Sequence, residues 1–323
     1  MATSEFDLIA RYFTHRARHT VLGVGDDAAL IRIKRGHELV ISADMLVAGR
    51  HFFRDANPRQ LGHKALAVNL SDLAAMGATP RWVTLALALP QANGRWVSEF
   101  SRGFMALARR FDVDLIGGDT TRGPLNICVQ IMGEVPRGKA LRRDGARAGD
   151  DLWVSGALGD AAFALAALKR RIQIKPAELR KCAARLHAPT PRVILGLALR
   201  GIAHSAIDIS DGLLADLNHV LVASGVAAEI ELAALPASPL LSRHLDNAIA
   251  WSALLAGGDD YELCFSAPRA ARERIARAGN RARVRVTRIG SVRAVRKGAP
   301  RLLVRAPDGA ALRVVRGGYD HFA

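Results

Sequence analysis

Apolar residues recur at two different spacings along the chain, and these spacings predict both helices and strands. From residue 58 to residue 76 the apolar positions follow helical spacing until Gly77 interrupts them, which predicts a helix. The positions that define this pattern are Leu61, Ala65, Leu66, Val68 and Leu73. From residue 79 to residue 90, apolar and polar residues alternate between two prolines, and this alternation predicts a strand.

The same patterns predict the other elements of the first half. An amphipathic helix is expected at residues 4–18 and a second helix at 97–111. Strands are expected at 28–33, 38–42, 115–117 and 125–134. The strand at 38–42 is expected to end in a loop over residues 43–52.

The character of the sequence changes between residues 135 and 151, where glycine and charge replace periodic apolar positions. We therefore predict a domain boundary near residue 145, which separates residues 1–145 from residues 146–323. The second half is predicted to contain a strand at 151–155, a helix at 160–169, a charged helix, a proline-rich turn at 187–192, and a helix–strand–helix unit around Asp208. Strands alternate with helices and hairpin turns are few, so the predicted fold class is α/β, with mixed sheets of the α+β kind.

Charge raises one alternative for the function. Lys and Arg outnumber Asp and Glu by 46 to 30, and a net charge of +16 could indicate a nucleic-acid-binding protein. Most of the basic residues are arginines spread through Ala-rich helical segments, and only 5% of the residues are aromatic, so no stacking platform accompanies them. We favour a solvated basic surface with no nucleic-acid partner, which would also attract a polyanionic substrate such as a nucleotide.

Composition also bears on the location of the protein. No apolar run approaches the ~20 residues of a membrane helix, and the first residues lack the layout of a signal peptide. The three cysteines are widely spaced and odd in number, which argues against a disulfide framework. We expect a reduced, cytoplasmic protein without a membrane partner.

Acidic residues occur repeatedly beside glycine or serine where apolar segments end. The sites are GDD at 25–27, SAD at 42–44, SD at 71–72, GGDTT at 117–121, DISDG at 208–212 and GGDDYE at 257–262. Several loop carboxylates in one cleft would suit Mg²⁺ with a polyphosphate, because Mg²⁺ takes oxygen ligands and relieves the repulsion between adjacent acids. The alternative is that they cap helices and form turns, as Ser and Asp often do. For the six sites together we favour a metal site.

Other nucleotide and catalytic motifs are incomplete. GEVPRGKA at 133–140 has the Gly and Lys spacing of a P-loop, but Ala140 stands where Ser or Thr would bind Mg²⁺, and no helix convincingly follows. The Gly-x-Gly at 23–25 lacks the third glycine of a dinucleotide-binding turn. We therefore predict neither a P-loop fold nor a Rossmann fold. No covalent nucleophile is predicted, because the known nucleophile motifs are absent.

Two basic positions are candidates for phosphate contacts. His51 lies beside the SAD stretch, and it could contact a phosphate or serve the structure alone. Arg142 and Arg143 could pair with phosphate oxygens, although arginine pairs are common in this chain.

Taken together and in order, these motifs closely resemble those of the thiamine-monophosphate kinase family. The matching stretches are GVGDDAAL, ISADMLVAGRHF, KALAVNLSDLAAMGATPRW, LIGGDTTRGPL, SAIDISDGLLADL, GGDDYELCF and the terminal GYDHF, from about residue 22 to the C-terminus. The family belongs to the superfamily of aminoimidazole-ribonucleotide synthetase-like ATP-binding proteins. The resemblance implies that superfamily's two-domain architecture and phosphoryl transfer from ATP to thiamine phosphate with several Mg²⁺ ions, and it leaves K⁺ as a further candidate ion.

The resemblance also implies a homodimer. Residues 1–145 would bind ATP and metal and form the dimer contact, and residues 146–323 would complete the cleft for ATP and thiamine phosphate. Carried onto matching positions, the resemblance implies metal ligands at Asp27, Ser42, Ala43, Asp44, Asp72, Asp119, Asp208 and Asp211. It implies ATP contacts at Gly118, Asp119, Arg143 and Ser210, and substrate contacts at His51, Asp259 and Tyr319.

The chain departs from the family pattern at three places. Ala43 stands where relatives commonly have Thr, so only its backbone carbonyl could serve a metal, and Asp259 stands where Glu is frequent. The position of an expected aromatic substrate contact is Arg316, and Tyr319 is the nearest substitute. The alternatives are another ATP-dependent synthetase of the same superfamily and, from a different class, a basic RNA-binding protein.

Overall fold

The computed structural model describes residues 5–15 and 17–312, and the chain divides into two compact units. The first unit runs through Leu73 and continues over Ala78–Gly138, and the second comprises Ala74–Gly77 and the chain from Lys139 onward. The division therefore falls at Gly138 and Lys139, whereas the sequence analysis places the boundary near residue 145. No helix within the described ranges is both long enough and apolar enough to cross a membrane.

The first unit contains three helices and six strands among its described residues. In chain order they are α1 (Glu5–Tyr12), β1 (Thr20–Leu22), β2 (Leu30–Ile31), β3 (His37–Val47), α2 (Pro58–Ala75), β4 (Thr79–Leu89), α3 (Gly94–Arg110), β5 (Asp114–Arg122) and β6 (Asn126–Pro136). The order β3-β6-β4-β5 forms a four-stranded sheet in which only β4 and β5 are parallel. Helix α3 makes the crossover between these two strands, as a parallel connection requires.

Helices α2 and α3 cross in direct backbone contact. A Cβ added at Gly62 of α2 would lie 2.0 Å from the carbonyl oxygen of Phe100, and one added at Gly103 of α3 would lie 1.8 Å from that of Arg59. The two glycines therefore allow the close approach. One face of the sheet is buried through residues such as Leu85 and Val129, while the opposite face leaves Ile41 and Met45 of β3 more than half exposed.

Several predicted boundaries in the first unit are wrong. The predicted loop at 43–52 is a strand as far as Val47, because β3 pairs with β6 along its whole length. The strand predicted at 115–117 runs from Asp114 to Arg122, because it pairs in parallel with β4. Helix α1 ends at Tyr12 and β2 covers only two residues, so both are shorter than predicted. The helices predicted at 58–76 and 97–111 and the strands at 79–90 and 125–134 are confirmed within a few residues.

The second unit is built on a seven-stranded sheet with the order β13-β12-β9-β11-β7-β10-β8. Its elements are β7 (Asp151–Ser155), α4 (Asp160–Leu168), α5 (Pro176–His187), α6 (Val193–Leu199), β8 (Ser205–Asp208), α7 (Leu213–Ala223), β9 (Ala227–Glu231), α8 (Ala248–Ala256), β10 (Leu263–Ala267), α9 (Arg272–Ala282), β11 (Val286–Arg293), β12 (Leu302–Arg305) and β13 (Ala311–Leu312). Only the β9–β12 pair is parallel. The core joins the strands to α4, α7 and α8 through fully buried residues such as Phe163, Leu217 and Ala250.

The predicted elements of this unit and the fold class are confirmed. Strand β7 has the predicted bounds, and α5, α6, β8 and α7 give the predicted series around Asp208. The P-loop-like stretch at 133–140 spans the end of β6 and a turn, and only a single 3₁₀ turn at Arg143–Gly145 follows it. The glycines at 23–25 lie between the antiparallel strands β1 and β2, where no helix begins. Both motifs therefore lack the structural setting of a phosphate-binding loop.

Candidate active site

The first unit contains a cavity between a loop and β5. Its volume is about 740 Å³, which lies in the range of small-molecule sites. Asp26, Asp27 and Asp119 supply its acidic lining, and Gly117 and Gly118 supply exposed backbone. The apolar part of its wall comes from Ile9, Phe13, Leu85 and Ile116. A cavity with one apolar wall and one acidic, glycine-lined wall suits a ligand that has both a ring and a charged group.

A β-bulge in β5 shapes this wall. Val83 of β4 pairs with Leu115 and the next residue, Thr84, pairs with Gly117, so Ile116 is the extra residue. Bulges commonly occur beside functional sites because they redirect the side chains that follow. Gly118 then passes so close to β4 that an added Cβ would lie 1.9 Å from the carbonyl oxygen of Leu85. Beyond it, Asp119 is exposed to solvent.

A second group of oxygen atoms lies where β3 faces α2. The hydroxyl of Ser42 donates to Oδ2 of Asp72 over 2.5 Å. Asp44 is two residues further along β3 and so lies on the same face of the strand as Ser42. Carboxylate and hydroxyl oxygens are ligands that Mg²⁺ accepts, so the donor set fits this ion. Ala43 lies on the opposite face and can offer only its carbonyl oxygen.

Sheet register separates the two groups within one chain. Strands β3 and β5 form opposite edges of the four-stranded sheet, so three strand spacings, or about 14 Å, lie between Asp44 and Asp119. Among the described residues there is no cluster of three or more His, Cys, Asp or Glu side chains suited to a metal ion. The predicted ligands of the first unit are therefore not brought together around a single point of this chain.

His51 lies in the turn that follows β3. Its Nδ1 is 2.9 Å from the backbone nitrogen of Val47, and its own backbone N–H donates to the carbonyl of Val47. Because Nδ1 accepts a hydrogen bond from an N–H group, the imidazole carries its proton on Nε2. The local bond fixes the orientation of the ring.

In the second unit, the predicted ligands follow β8. Asp208 ends this strand and is almost fully buried, and the turn Ser210–Gly212 leads into α7. Oδ2 of Asp216 accepts hydrogen bonds from the backbone N–H groups of Ser210, Asp211 and Gly212 over 3.0, 3.1 and 3.1 Å. Burial raises the pKa of the Asp216 carboxyl to about 6, although these three bonds oppose the shift.

The loop at 257–262 contacts this turn through its backbone. The N–H of Asp259 donates to the carbonyl of Ser210 over 2.8 Å, and a Cβ added at Gly258 would lie 2.3 Å from that same oxygen. Asp259 and Tyr261 both have positive φ angles, of 69° and 50°, and the Tyr261 hydroxyl donates to Asp259 over 3.1 Å. The predicted metal turn and the predicted substrate residue Asp259 therefore form one local structure.

Two buried acids of this loop, Asp260 and Glu262, anchor it to the rest of the second unit through hydrogen bonds. Asp260 accepts the N–H of Gly159 over 2.9–3.0 Å, and desolvation raises the pKa of its carboxyl well above the ordinary value. Glu262 is inaccessible to solvent and accepts hydrogen bonds from Ser155, Arg185 and Arg192. These side chains are occupied by the protein itself, so we assign them to the support of the loop.

The remaining predicted residues are placed as follows. Arg143 is exposed on the 3₁₀ turn beside Ser205, at the start of β8, and its carbonyl accepts the Ser224 hydroxyl. Ser210 lies two residues beyond the other end of β8, and the three strand steps from Ser205 to Asp208 alone span about 10 Å. The structure therefore does not place these two predicted ATP contacts side by side. Arg316 and Tyr319 lie outside the described residues.

The predicted site residues do not include Asp216 or Arg192. Asp260 and Glu262 lie in the GGDDYE stretch, one of the acidic stretches for which a metal site is predicted, but their burial as supports of the loop is not predicted. An acid in the first turn of a helix is a recognised signal, and DGLLAD contains one in Asp216. The pair of Arg192 with Glu262 spans 70 positions of the chain, so no local pattern reveals it.

Comparison with known proteins covers almost the whole chain. The family model described as AIR synthase related protein, N-terminal domain, matches residues 25–135, and that of the C-terminal domain matches residues 147–302. The thiamine-monophosphate kinase of Escherichia coli (strain K12) is 48% identical over 329 residues, which cover 100% of this chain and 99% of the relative.

Two solved structures are also similar. The crystal structure of thiamine-monophosphate kinase from Stenotrophomonas maltophilia K279a has a TM-score of 0.86 and 46% identity, and the match covers 97% of this chain and 99% of that one. A structure described as AaThiL complexed with AMPPCP and TMP has a TM-score of 0.76 and 32% identity, with 93% and 92% of the chains covered.

Proposed function

Because the chain belongs to the AIR synthase related proteins and, within them, to the thiamine-monophosphate kinase family, we propose that it transfers the γ-phosphoryl group of ATP to thiamine phosphate. The products are thiamine diphosphate and ADP. The observation that carries this proposal is similarity along the full length to proteins of that name, one of which is described in complex with AMPPCP and TMP.

We propose that several Mg²⁺ ions take part. The side chains assigned to them are Asp27, Ser42, Asp44, Asp72, Asp119, Asp208 and Asp211, with the carbonyl of Ala43. The hydrogen bond from Ser42 to Asp72 supports this assignment, because it holds two oxygen donors together at the surface of α2. When bound, Mg²⁺ would neutralise charge on the phosphates and so lessen the repulsion between donor and acceptor. K⁺ remains a further candidate ion.

The protein itself need only position the two substrates. Gly118, Asp119, Arg143 and Ser210 are proposed to contact ATP, and His51, Asp259 and Tyr319 to contact thiamine phosphate. The acceptor is a phosphate monoester, which is already an anion near neutral pH, so the reaction needs no strong general base and no covalent nucleophile. We therefore propose direct in-line transfer. His51 and Arg143 would serve as secondary contacts to the phosphates.

We also propose a homodimer in which the first units pair. Ile41 and Met45 are exposed on the open face of the sheet, at 52% and 54%, and Ala43 lies between them. If two copies pair through this face, with the β3 edge of one protomer beside the β5 edge of its partner, the oxygen groups of the two edges would approach each other. Analytical ultracentrifugation of the wild type and of Met45→Asp would test this, because a charge on a buried contact face should favour the monomer.

Release of ADP with a panel of acceptors tests the function directly. Thiamine phosphate should support turnover, whereas thiamine, nucleoside monophosphates and other phosphorylated vitamins should not. Turnover that required a different acceptor would indicate another ATP-dependent synthetase activity. Salt-sensitive RNA binding without any ATP turnover would instead favour a basic RNA-binding protein. A cytoplasmic location remains a prediction from the sequence.

A further inference from the structure

One buried carboxylate oxygen organises the turn that carries two of the proposed ligands. Asp216 lies in the first turn of α7 and is 3% exposed. Its Oδ2 accepts the backbone N–H groups of three consecutive residues, Ser210, Asp211 and Gly212, at 3.0–3.1 Å. An acid that only caps a helix reaches back to the N–H at the start of that helix. Here that position is Gly212, so the bonds to Ser210 and Asp211 go beyond capping.

The position of the Ser210–Gly212 turn also determines the position of the neighbouring loop that contains Asp259. With its N–H directed at Asp216, Ser210 presents its carbonyl to the N–H of Asp259 over 2.8 Å. Gly258 approaches that carbonyl so closely that any side chain there would collide with it. A shift of the turn must therefore move Asp259 as well.

We propose that Asp216 is a positioning residue that sets the Ser210–Gly212 turn and, through the Ser210 carbonyl, the loop of Asp259. This inference rests on the proposed function, because it gives the turn a role toward ATP and the loop a role toward thiamine phosphate. In this proposal Asp216 acts through the turn and not by direct contact with a substrate. Misplacement of reacting groups by about 1 Å can lower a rate by roughly 10²-fold, so loss of the oxygen should reduce catalysis more than it reduces folding.

Three variants of the full chain separate this role from stability. Asp216→Ala removes the acceptor, while Asp216→Asn keeps an oxygen of similar position. Asp150→Ala is the matched control. Asp150 is equally buried and accepts hydrogen bonds from the N–H of Arg147, the hydroxyl of Ser266 and the ring of His204. It lies before β7, near the Ala267 end of β10, whereas the Ser210–Gly212 turn follows β8 near the Leu263 end. All three are assayed below the onset of unfolding, with kcat and the KM for each substrate measured separately.

We expect Asp216→Ala to lower kcat/KM by about 10²-fold, with the KM for thiamine phosphate and for ATP both raised. Asp216→Asn should recover to within about tenfold of the wild type, because its amide oxygen can still accept. Asp150→Ala should lower the melting temperature and leave both KM values unchanged. Wild-type kcat and KM in Asp216→Ala would overturn the proposal, as would equal changes in KM in Asp150→Ala.

Hydrogen exchange provides a readout that does not need activity. If Asp216→Ala does not fold, the exchange rates of the amides at 210–212 and 259 are compared between the wild type and Asp216→Asn. The amide is a weaker acceptor than the carboxylate, so we expect faster exchange at these four positions and no change in β9. Unchanged exchange would overturn the proposal. A wild type that does not phosphorylate thiamine phosphate would contradict the proposed function, while the exchange result would still test Asp216.

Discussion

Removal of the charge on Glu262 should destabilise the second unit strongly. Glu262 has no solvent exposure, and its two carboxylate oxygens accept from Arg192 in bidentate fashion, from Arg185 over 2.5 Å and from Ser155 over 2.6 Å. The side chain of Arg192 is only 14% exposed. Glu262→Gln keeps the shape but replaces one acceptor by a donor. It would leave two guanidinium groups beside an amide, without their counter-charge.

The size of the effect follows from the burial of the pair. Breaking a buried ion pair by removing one partner costs about 3–5 kcal/mol, because the remaining charge is desolvated without compensation. For a unit of this size, each kcal/mol lowers the melting temperature by about 2–4 °C, so the expected decrease is about 6–20 °C. Partial exposure of Arg185, at 30%, places the result toward the lower half of this range.

Thermal unfolding followed by circular dichroism measures the effect, and the chain offers a matched control. Glu273 pairs with Arg277 over 3.5 Å on α9, but its side chain is 88% exposed. Exposed pairs contribute at most about 1 kcal/mol and often nothing measurable, so Glu273→Gln should lie within ~2 °C of the wild type. If both variants melt together with the wild type, the buried pair does not stabilise the unit and the reasoning fails.

Three further predictions concern the site and its support. Asp72→Asn and Asp119→Asn should each keep the fold but reduce ADP release by at least ~10²-fold at saturating Mg²⁺, and near-wild-type rates would reject the metal assignment. Gly118→Ala should lower the melting temperature sharply because its Cβ meets the backbone of β4, whereas Gly117→Ala, with no atom within 4 Å of its Cβ, should fold normally; equal melting would contradict the close approach. The pKa of Asp260 is raised by burial, so its ionisation costs stability as pH rises from its unfolded pKa toward the folded value. The urea midpoint of Asp260→Asn minus that of the wild type should therefore increase as the pH rises above the unfolded pKa of Asp260. A difference that does not change with pH would refute this.

Much of the fold could be predicted because local patterns and tertiary contacts agree. The regular spacing of α2 and the alternation of β4 persist in the folded chain. DISDG begins at the end of β8 and GGDDYE precedes β10, whereas SAD lies within β3 and SD within α2. The error at residues 43–47 has a clear cause. Asp44 interrupts the apolar run after Ser42, so the local pattern favours a loop, but pairing with β6, which is about 80 positions away in the sequence, extends the strand. Register between distant strands is not encoded in any short stretch.

The sequence also could not separate the exposed acids from Asp216 and Glu262, which are buried. Asp26, Asp27 and Asp119 are exposed around the cavity of the first unit, where a cation could reach them. Asp216 and Glu262 also carry carboxylates and also lie beside glycine-containing turns, but unlike the acids of the cavity both are buried.

The two buried acids, Asp216 and Glu262, already accept hydrogen bonds from groups of the protein. Three backbone N–H groups bind one oxygen of Asp216, and two arginines and a serine bind Glu262, so neither has an exposed carboxylate to offer a metal. A buried carboxylate must find donors within the fold, since an unpaired one costs several kcal/mol. An exposed carboxylate beside another acid is better relieved by a cation. The acids of one motif class therefore divide into ligands and supports, and the donors that fold around each acid decide which role it takes.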